Sequence, residues 1–288
     1  MKKLIIFVIM PFFTLSWVWA QGGLVYETKT VKSDILKMER KYAIYLPPGY
    51  NESDQSYPVL YLLHGSGDDH TGWVQFGQVQ HIADMTIAEG KCARMIVVMP
   101  DANTGRRGYF NDIRGDFNYE DFFFNELIPH IEKTYRVRTE RRYRAIAGLS
   151  MGGGGTIFYA MHRPELFAAA APLSASTGNW DFEQFRSRQR DTTVTQAQIE
   201  ANYKRHSIEE IIKNATKEEL DRIKQIRWYI SCGDDDFLYE GNSRMHIVFR
   251  KSEIAHEYRV KDGGHTWTYW RMELPIVMEF VSKSFTQF

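Results

Sequence analysis

The sequence predicts an α/β architecture, a mostly parallel sheet with helices on both faces. Short, continuously apolar runs recur along the chain, as strands buried on both faces do. Stretches with helical periodicity lie between them, and that alternation is the pattern of a covered parallel sheet. At 288 residues, 43% of them hydrophobic, the chain is long enough for one large core.

The first twenty residues stand apart. "MKK" is a positively charged start, "LIIFVIMPFFTLSWVW" is apolar, and Val18 and Ala20 occupy the −3 and −1 positions of a cleavage site. Pro11 and the modest length of the apolar run argue against a membrane anchor. The expectation is a signal peptide over residues 1–20, export, and one domain over residues 21–288 that begins at Gln21.

The expected strands follow in order: "YAIYLPPGY" (42–50), "YPVLYLLHG" (57–65), "ARMIVVMP" (93–100), "RYRAIAG" (142–148), "AAAAPLSA" (168–175), "IRWYISCG" (226–233) and "HEYRVKDGG" (256–264). Between them, "YEDFFFNELIPHIEKTY" (119–135) puts Phe122, Leu127 and Ile131 near one helical face, and "MGGGGTIFYAMH" runs as a helix toward Pro164. Ser207 with Glu210, and Thr216 with Glu219, open two further helices as capping boxes. Pro275 should start or kink the second half of the C-terminal helix. The polar segment 176–206 breaks the pattern, so 176–225 reads as an insertion over one end of the sheet, either a lid or a surface loop.

Charge and cysteines exclude several classes. With 36 basic and 36 acidic side chains, no bulk field draws the chain to nucleic acid or to an anionic membrane. Two cysteines cannot form a disulfide scaffold; Cys92 precedes one expected strand and Cys232 ends another, and those strands are not adjacent, so both should be free.

The chemistry begins at "AIAGLSMGGGGT" (145–156). Gly148-Leu149-Ser150-Met151-Gly152 is a G-x-S-x-G placed where a strand turns into a helix, the setting of a nucleophile elbow. Three more glycines follow, each costing about 1 kcal/mol relative to alanine inside a helix, which requires close packing as the reason. A serine hydroxyl needs a base, and the base needs an orienting acid. Of nine histidines only His265 follows the last strand, on the "DGGH" turn. His64 braces its loop, and His81, His130, His162, His246 and His256 lie on or beside helices and surface elements. The acid should follow the strand ending at Cys232, where Asp234, Asp235 and Asp236 compete, and the residues alone do not choose among them. They also lack the alternating spacing of calcium-loop ligands. Oxyanion donors are expected at the N–H of Met151 and in the loop after "YLLHG", at Ser66.

Together "VLYLLHGSGDDHTGW", "AEGKCARMIVVMPDAN", "RAIAGLSMGG", "SCGDDDFL" and "GGHTWTYWR" resemble the putative esterase family of α/β-hydrolases, which includes esterase D and the carbohydrate esterase family 1 feruloyl and acetyl xylan esterases. The resemblance runs from about residue 25 to the C-terminus. It implies the α/β-hydrolase fold and a G-x-x-D-x-L motif at Gly233, Asp236 and Leu238, which selects Asp236 as the acid. It further implies Ser150, Asp236 and His265 as a triad that needs no metal or organic cofactor, acting on an esterified polysaccharide or oligosaccharide such as xylan. Substrate contacts are expected from Asp101, Asn103, Tyr109, Trp180 and Trp267, near the strand ends that carry the serine. A cytosolic S-formylglutathione hydrolase would share the triad but not the export signal. Siderophore esterases and mycolyl-type acyltransferases share the architecture, and the same triad could cleave amides. A non-catalytic carbohydrate-binding derivative should have lost a triad residue, and none is missing here.

Overall fold

Eight strands form the central sheet of the computed structural model, in the order β1-β2-β4-β3-β5-β6-β7-β8. They are β1 (Leu24–Ser33), β2 (Met38–Leu46), β3 (Val59–Leu63), β4 (Ile96–Pro100), β5 (Arg144–Leu149), β6 (Ala169–Leu173), β7 (Arg227–Gly233) and β8 (His256–Lys261). β1 and β2 pair antiparallel, β2 pairs antiparallel with β4, and the remaining neighbours run parallel. The structure describes residues 22–103, 105 and 108–286; the expected signal peptide and cleavage site lie outside the described residues.

The apolar runs behave as a two-period demands. Val59, Tyr61 and Leu63 enter one core cluster while Leu60 and Leu62 enter the other, and β4 divides in the same way. The helix Met151–His162 contributes Ile157, Phe158 and Tyr159 to the first cluster. The helices Val79–Ala88 and Trp267–Thr286 contribute Val79, Ala83, Leu274 and Val277 to the second. All seven expected strands form, most with narrower bounds; β2 begins and ends four residues before the expected 42–50, and β5 ends one residue later than expected. β1 was not anticipated: "LVYETKTVKS" is half polar and largely exposed at the sheet edge, so it lacks the apolar signature of the buried strands.

The helical stretch 119–135 is built as Tyr119–Phe122, a π-turn at Phe123–Leu127 and Ile128–Thr134, with Pro129 just after the π-turn. Phe122, Leu127 and Ile131 are buried, as the spacing predicts. Pro275 lies inside one continuous helix, Trp267–Thr286, and does not start a new one. Thr216 and Glu219 form a reciprocal capping box. Ser207 caps its helix by accepting from the Glu210 N–H, whereas the Glu210 carboxylate accepts from Asn214.

The insertion between β6 and β7 folds into four helices: Phe182–Arg188, Gln196–Arg205, Ile208–Asn214 and Lys217–Lys224. Phe185, Val194 and Ile199 form its own small apolar cluster. Buried Glu120 ties it to the body of the fold, because His162 and Arg205 both bond Oε1 at 2.8 Å. Cys92 and Cys232 are buried and free, as expected. Burial pushes both thiols up to about 12, so neither is a ready thiolate. Among the described residues no helix is long and apolar enough to cross a membrane.

Candidate active site

Ser150 sits between β5 and the helix Met151–His162 at φ 54°, ψ −115°, a conformation that a non-glycine residue adopts only when its surroundings force it. Three backbone bonds do so. The Ser150 N–H donates to the Leu173 carbonyl at 2.9 Å, and the Ser150 carbonyl accepts from Gly154 at 3.0 Å and Ser176 at 2.9 Å. The glycines supply space. A Cβ on Gly152 would stand 2.5 Å from the Leu63 carbonyl oxygen, and one on Gly154 would stand 2.5 Å from that of Ser176. The helix therefore lies directly on β3 and on the loop after β6.

His265 reaches this serine from the turn after β8, with Nε2 2.9 Å from Ser150 Oγ. Its Nδ1 lies 2.8 Å from Asp236 Oδ2, so the imidazole bridges the two. Asp236 is fully buried on the turn after β7, and its Oδ1 accepts from the Leu238 N–H at 2.8 Å. Burial alone would push this carboxyl up. Hydrogen bonds from His265, the Leu238 N–H and Ser174 outweigh it and hold the group below its ordinary range, as a carboxylate. Asp234 and Asp235 are exposed, and Asp234 Oδ1 is occupied by the N–H groups of Asp235 and Gly263. Asp234, Asp235 and Asp262 bring carboxylate oxygens within 4.8 Å of one another on the surface, a cluster that leaves Asp236 out.

The loop after β3 passes beside Ser150, since a Cβ on Gly65 would come 3.5 Å from Ser150 Cβ. Ser66 follows on that loop, exposed. His64 beneath it is a brace, as the sequence suggests. Its Nε2 accepts from the Ala102 N–H at 2.9 Å, which leaves Nδ1 to donate to the Gly65 carbonyl at 2.8 Å. Burial lowers its pKa and keeps the ring neutral. Met151 opens the helix, where backbone N–H groups have no intrahelical acceptor and the helix dipole is positive.

The five expected substrate contacts divide. Tyr109 is fully buried, with its hydroxyl 2.8 Å from the His64 N–H and 3.2 Å from the His64 carbonyl, so it supports the loop and cannot touch a substrate. Asp101 is likewise structural, held by Arg40 at 3.1 Å and by the Asn103 N–H at 2.8 Å. These two expectations fail because both side chains turn inward under the strand ends. Asn103 is exposed on the loop after β4. Trp180 is half-buried, its indole N–H on Thr177 Oγ1 and the Arg244 guanidinium over its ring. Trp267 is half-buried against Trp73, Phe76 and Trp270.

Three residues that the sequence reading passed over support the site. Ser174, at the end of β6, is fully buried with φ 43° and accepts from the Trp270 indole N–H. Trp270 also stands perpendicular to His265, with 4.9 Å between ring centres. Asn242, fully buried, accepts from the Ala175 N–H and donates to the carbonyls of Ala175 and Leu238, joining the β6 and β7 loops. Trp270 carried a signal, one turn past Trp267 on the helix after His265; Ser174 and Asn242 carried none.

Known proteins resemble this chain in sequence and in fold. The family described as "Putative esterase" matches residues 33–279. An endo-1,4-beta-xylanase/feruloyl esterase of Xylanibacter ruminicola is 39% identical over 145 residues, 46% of this chain and 19% of that protein. The chain thus matches less than a third of the length of that relative. A solved ferulic acid esterase is 33% identical with a TM-score of 0.81 and covers 92% of this chain and 99% of its own. The S-formylglutathione hydrolase of Staphylococcus aureus, 20% identical with a TM-score of 0.72, covers 91% of this chain and 100% of its own, and shares the fold. A family match over most of the chain, on an eight-stranded sheet with this strand order and a serine elbow, makes the protein a member of the putative esterase family of α/β-hydrolases.

Proposed function

We propose that this protein is a serine carboxylic ester hydrolase that removes feruloyl or acetyl groups from plant cell-wall polysaccharide. The observation that carries the reading is the unbroken contact from Ser150 Oγ through the His265 imidazole to buried Asp236. In this reading Ser150 attacks the ester carbonyl while His265 Nε2 takes its proton. Asp236 orients the ring and stabilises the imidazolium. His265 returns the proton to the departing alcohol, and water, activated by the same imidazole, releases the acid. The N–H groups of Met151 and Ser66 receive the oxyanion, each such donor typically contributing about 2.7–4 kcal/mol to lowering the barrier.

The feruloyl group is favoured by the relatives: a xylanase/feruloyl esterase and a ferulic acid esterase are both above 30% identical. The N-terminal segment, read as an export signal, supports action on a polymer outside the cytoplasm and weighs against a glutathione thioester as substrate. Initial rates with methyl ferulate and 4-nitrophenyl acetate, beside Ser150→Ala, test the proposal. Ser150-dependent turnover of the ferulate supports a feruloyl esterase, and turnover of acetate alone redirects it to deacetylation. Turnover retained in Ser150→Ala overturns the mechanism.

A further inference from the structure

Phe237 is the most exposed large apolar side chain among the described residues, at 71%. Its chain neighbour Asp236 is fully buried, so the same turn places one residue in the core and the next in water. The Phe237 ring is not loose on the surface. It lies against the imidazole of His265, 4.5 Å between ring centres and inclined by 49°. From there aromatic rings continue in contact: His265 to Trp270 at 4.9 Å, Trp270 to Trp267 at 5.3 Å, and Trp267 to Phe76 at 5.9 Å. The run is buried at Trp270 and open at both ends, at Phe237 and at Phe76.

Acyl-enzyme chemistry decides which part of a substrate meets Phe237. The leaving oxygen must take a proton from His265 Nε2, so the alcohol half of the ester lies beside the imidazole. In the esterase reading above, the acyl oxygen is received instead by the N–H groups of the loop after β3 and of Met151. A ring packed on His265 and open to solvent therefore borders the alcohol, not the acyl group. Sugar rings present flat C–H faces that pack on aromatic rings, whereas a methoxy group is too small to cover one. We propose that Phe237 forms a sugar subsite on the leaving-group side and selects esters of carbohydrate alcohols over simple alkyl esters. The inference rests on the esterase reading above and assigns the alcohol side of that site.

The test compares wild type, Phe237→Ala and Phe237→Trp on methyl ferulate and on a feruloylated arabino-oligosaccharide, with a pH profile for each. For Phe237→Ala the loss in kcat/KM on the oligosaccharide ester should exceed the loss on methyl ferulate by about tenfold, mostly through KM, the size expected for one aromatic contact. Phe237→Trp should restore most of it. An equal loss on both esters, through kcat and with a displaced pH profile, would make Phe237 a shield for His265 and overturn the subsite. So would wild-type rates on both esters in Phe237→Ala. Wild-type protein inactive on methyl ferulate and on 4-nitrophenyl acetate would sink the esterase reading itself, and this inference with it.

Discussion

The indole N–H of Trp270 donates to Ser174 Oγ at 3.1 Å, while the same ring stands at 88° to the imidazole of His265. One buried side chain thus touches the expected base and the serine that bonds the expected acid. Trp270→Phe keeps a ring beside His265 and removes the N–H. A lost hydrogen bond of about 1 kcal/mol corresponds to a kcat lower by about fivefold, with KM little changed. Wild-type kcat in this variant would mean that the indole N–H has no part in holding the triad.

Asp236→Asn should lower kcat by about 10⁴-fold, because an amide facing Nδ1 favours the wrong tautomer of the base. Asp234→Asn and Asp235→Asn should cost far less, both side chains being exposed and neither bonding His265 in this structure. Kinetics on the three purified variants would decide the assignment, which fails if all three lose activity equally.

At Gly154 two effects oppose. Alanine favours the helix by about 1 kcal/mol. Its Cβ, however, would stand 2.5 Å from the Ser176 carbonyl, a backbone atom that cannot rotate away. Overpacking of this kind costs about 1–3 kcal/mol, so Gly154→Ala should lower Tm. Activity should fall with it, since the Ser176 N–H holds the Ser150 carbonyl. A raised Tm would show that the loop after β6 gives way easily.

Stability should also fall as acid is added above the carboxylate range. Burial is the main cause that lowers the pKa of His64, His70, His130 and His246 from the ordinary 6.5. In the fold these rings stay neutral after the unfolded chain has begun to take up protons. The unfolded state then binds more protons, and stability declines as pH drops through about 6.5 toward the folded-state values. Thermal melts between about pH 7.5 and 5.5 check this. A Tm that is flat or rising toward acid contradicts it.

Much of the fold was legible because buried parallel strands are short, continuous apolar runs, told from buried helices by their length and flanking turn residues. β3 and β4 announce themselves, whereas β1 does not, having one neighbour and mostly polar side chains exposed to solvent. The turn at Ser150 was legible for a local reason: an elbow needs glycine at fixed offsets from the serine. His265 was legible by its place after the last strand. The acid was not, since three consecutive aspartates satisfy the same local rule and differ only in which one the turn buries.

The sequence by itself therefore determined the strand-and-helix alternation, the serine elbow and the placing of His265 after the last strand, because each follows from patterns close along the chain. Tertiary structure alone decided which carboxylate faces the imidazole, that Tyr109 and Asp101 turn inward as supports, and that Ser174, Trp270 and Asn242 join the loops around Ser150, His265 and Asp236. Those choices depend on groups as many as 96 residues apart meeting at one end of the sheet, and no local pattern records that meeting.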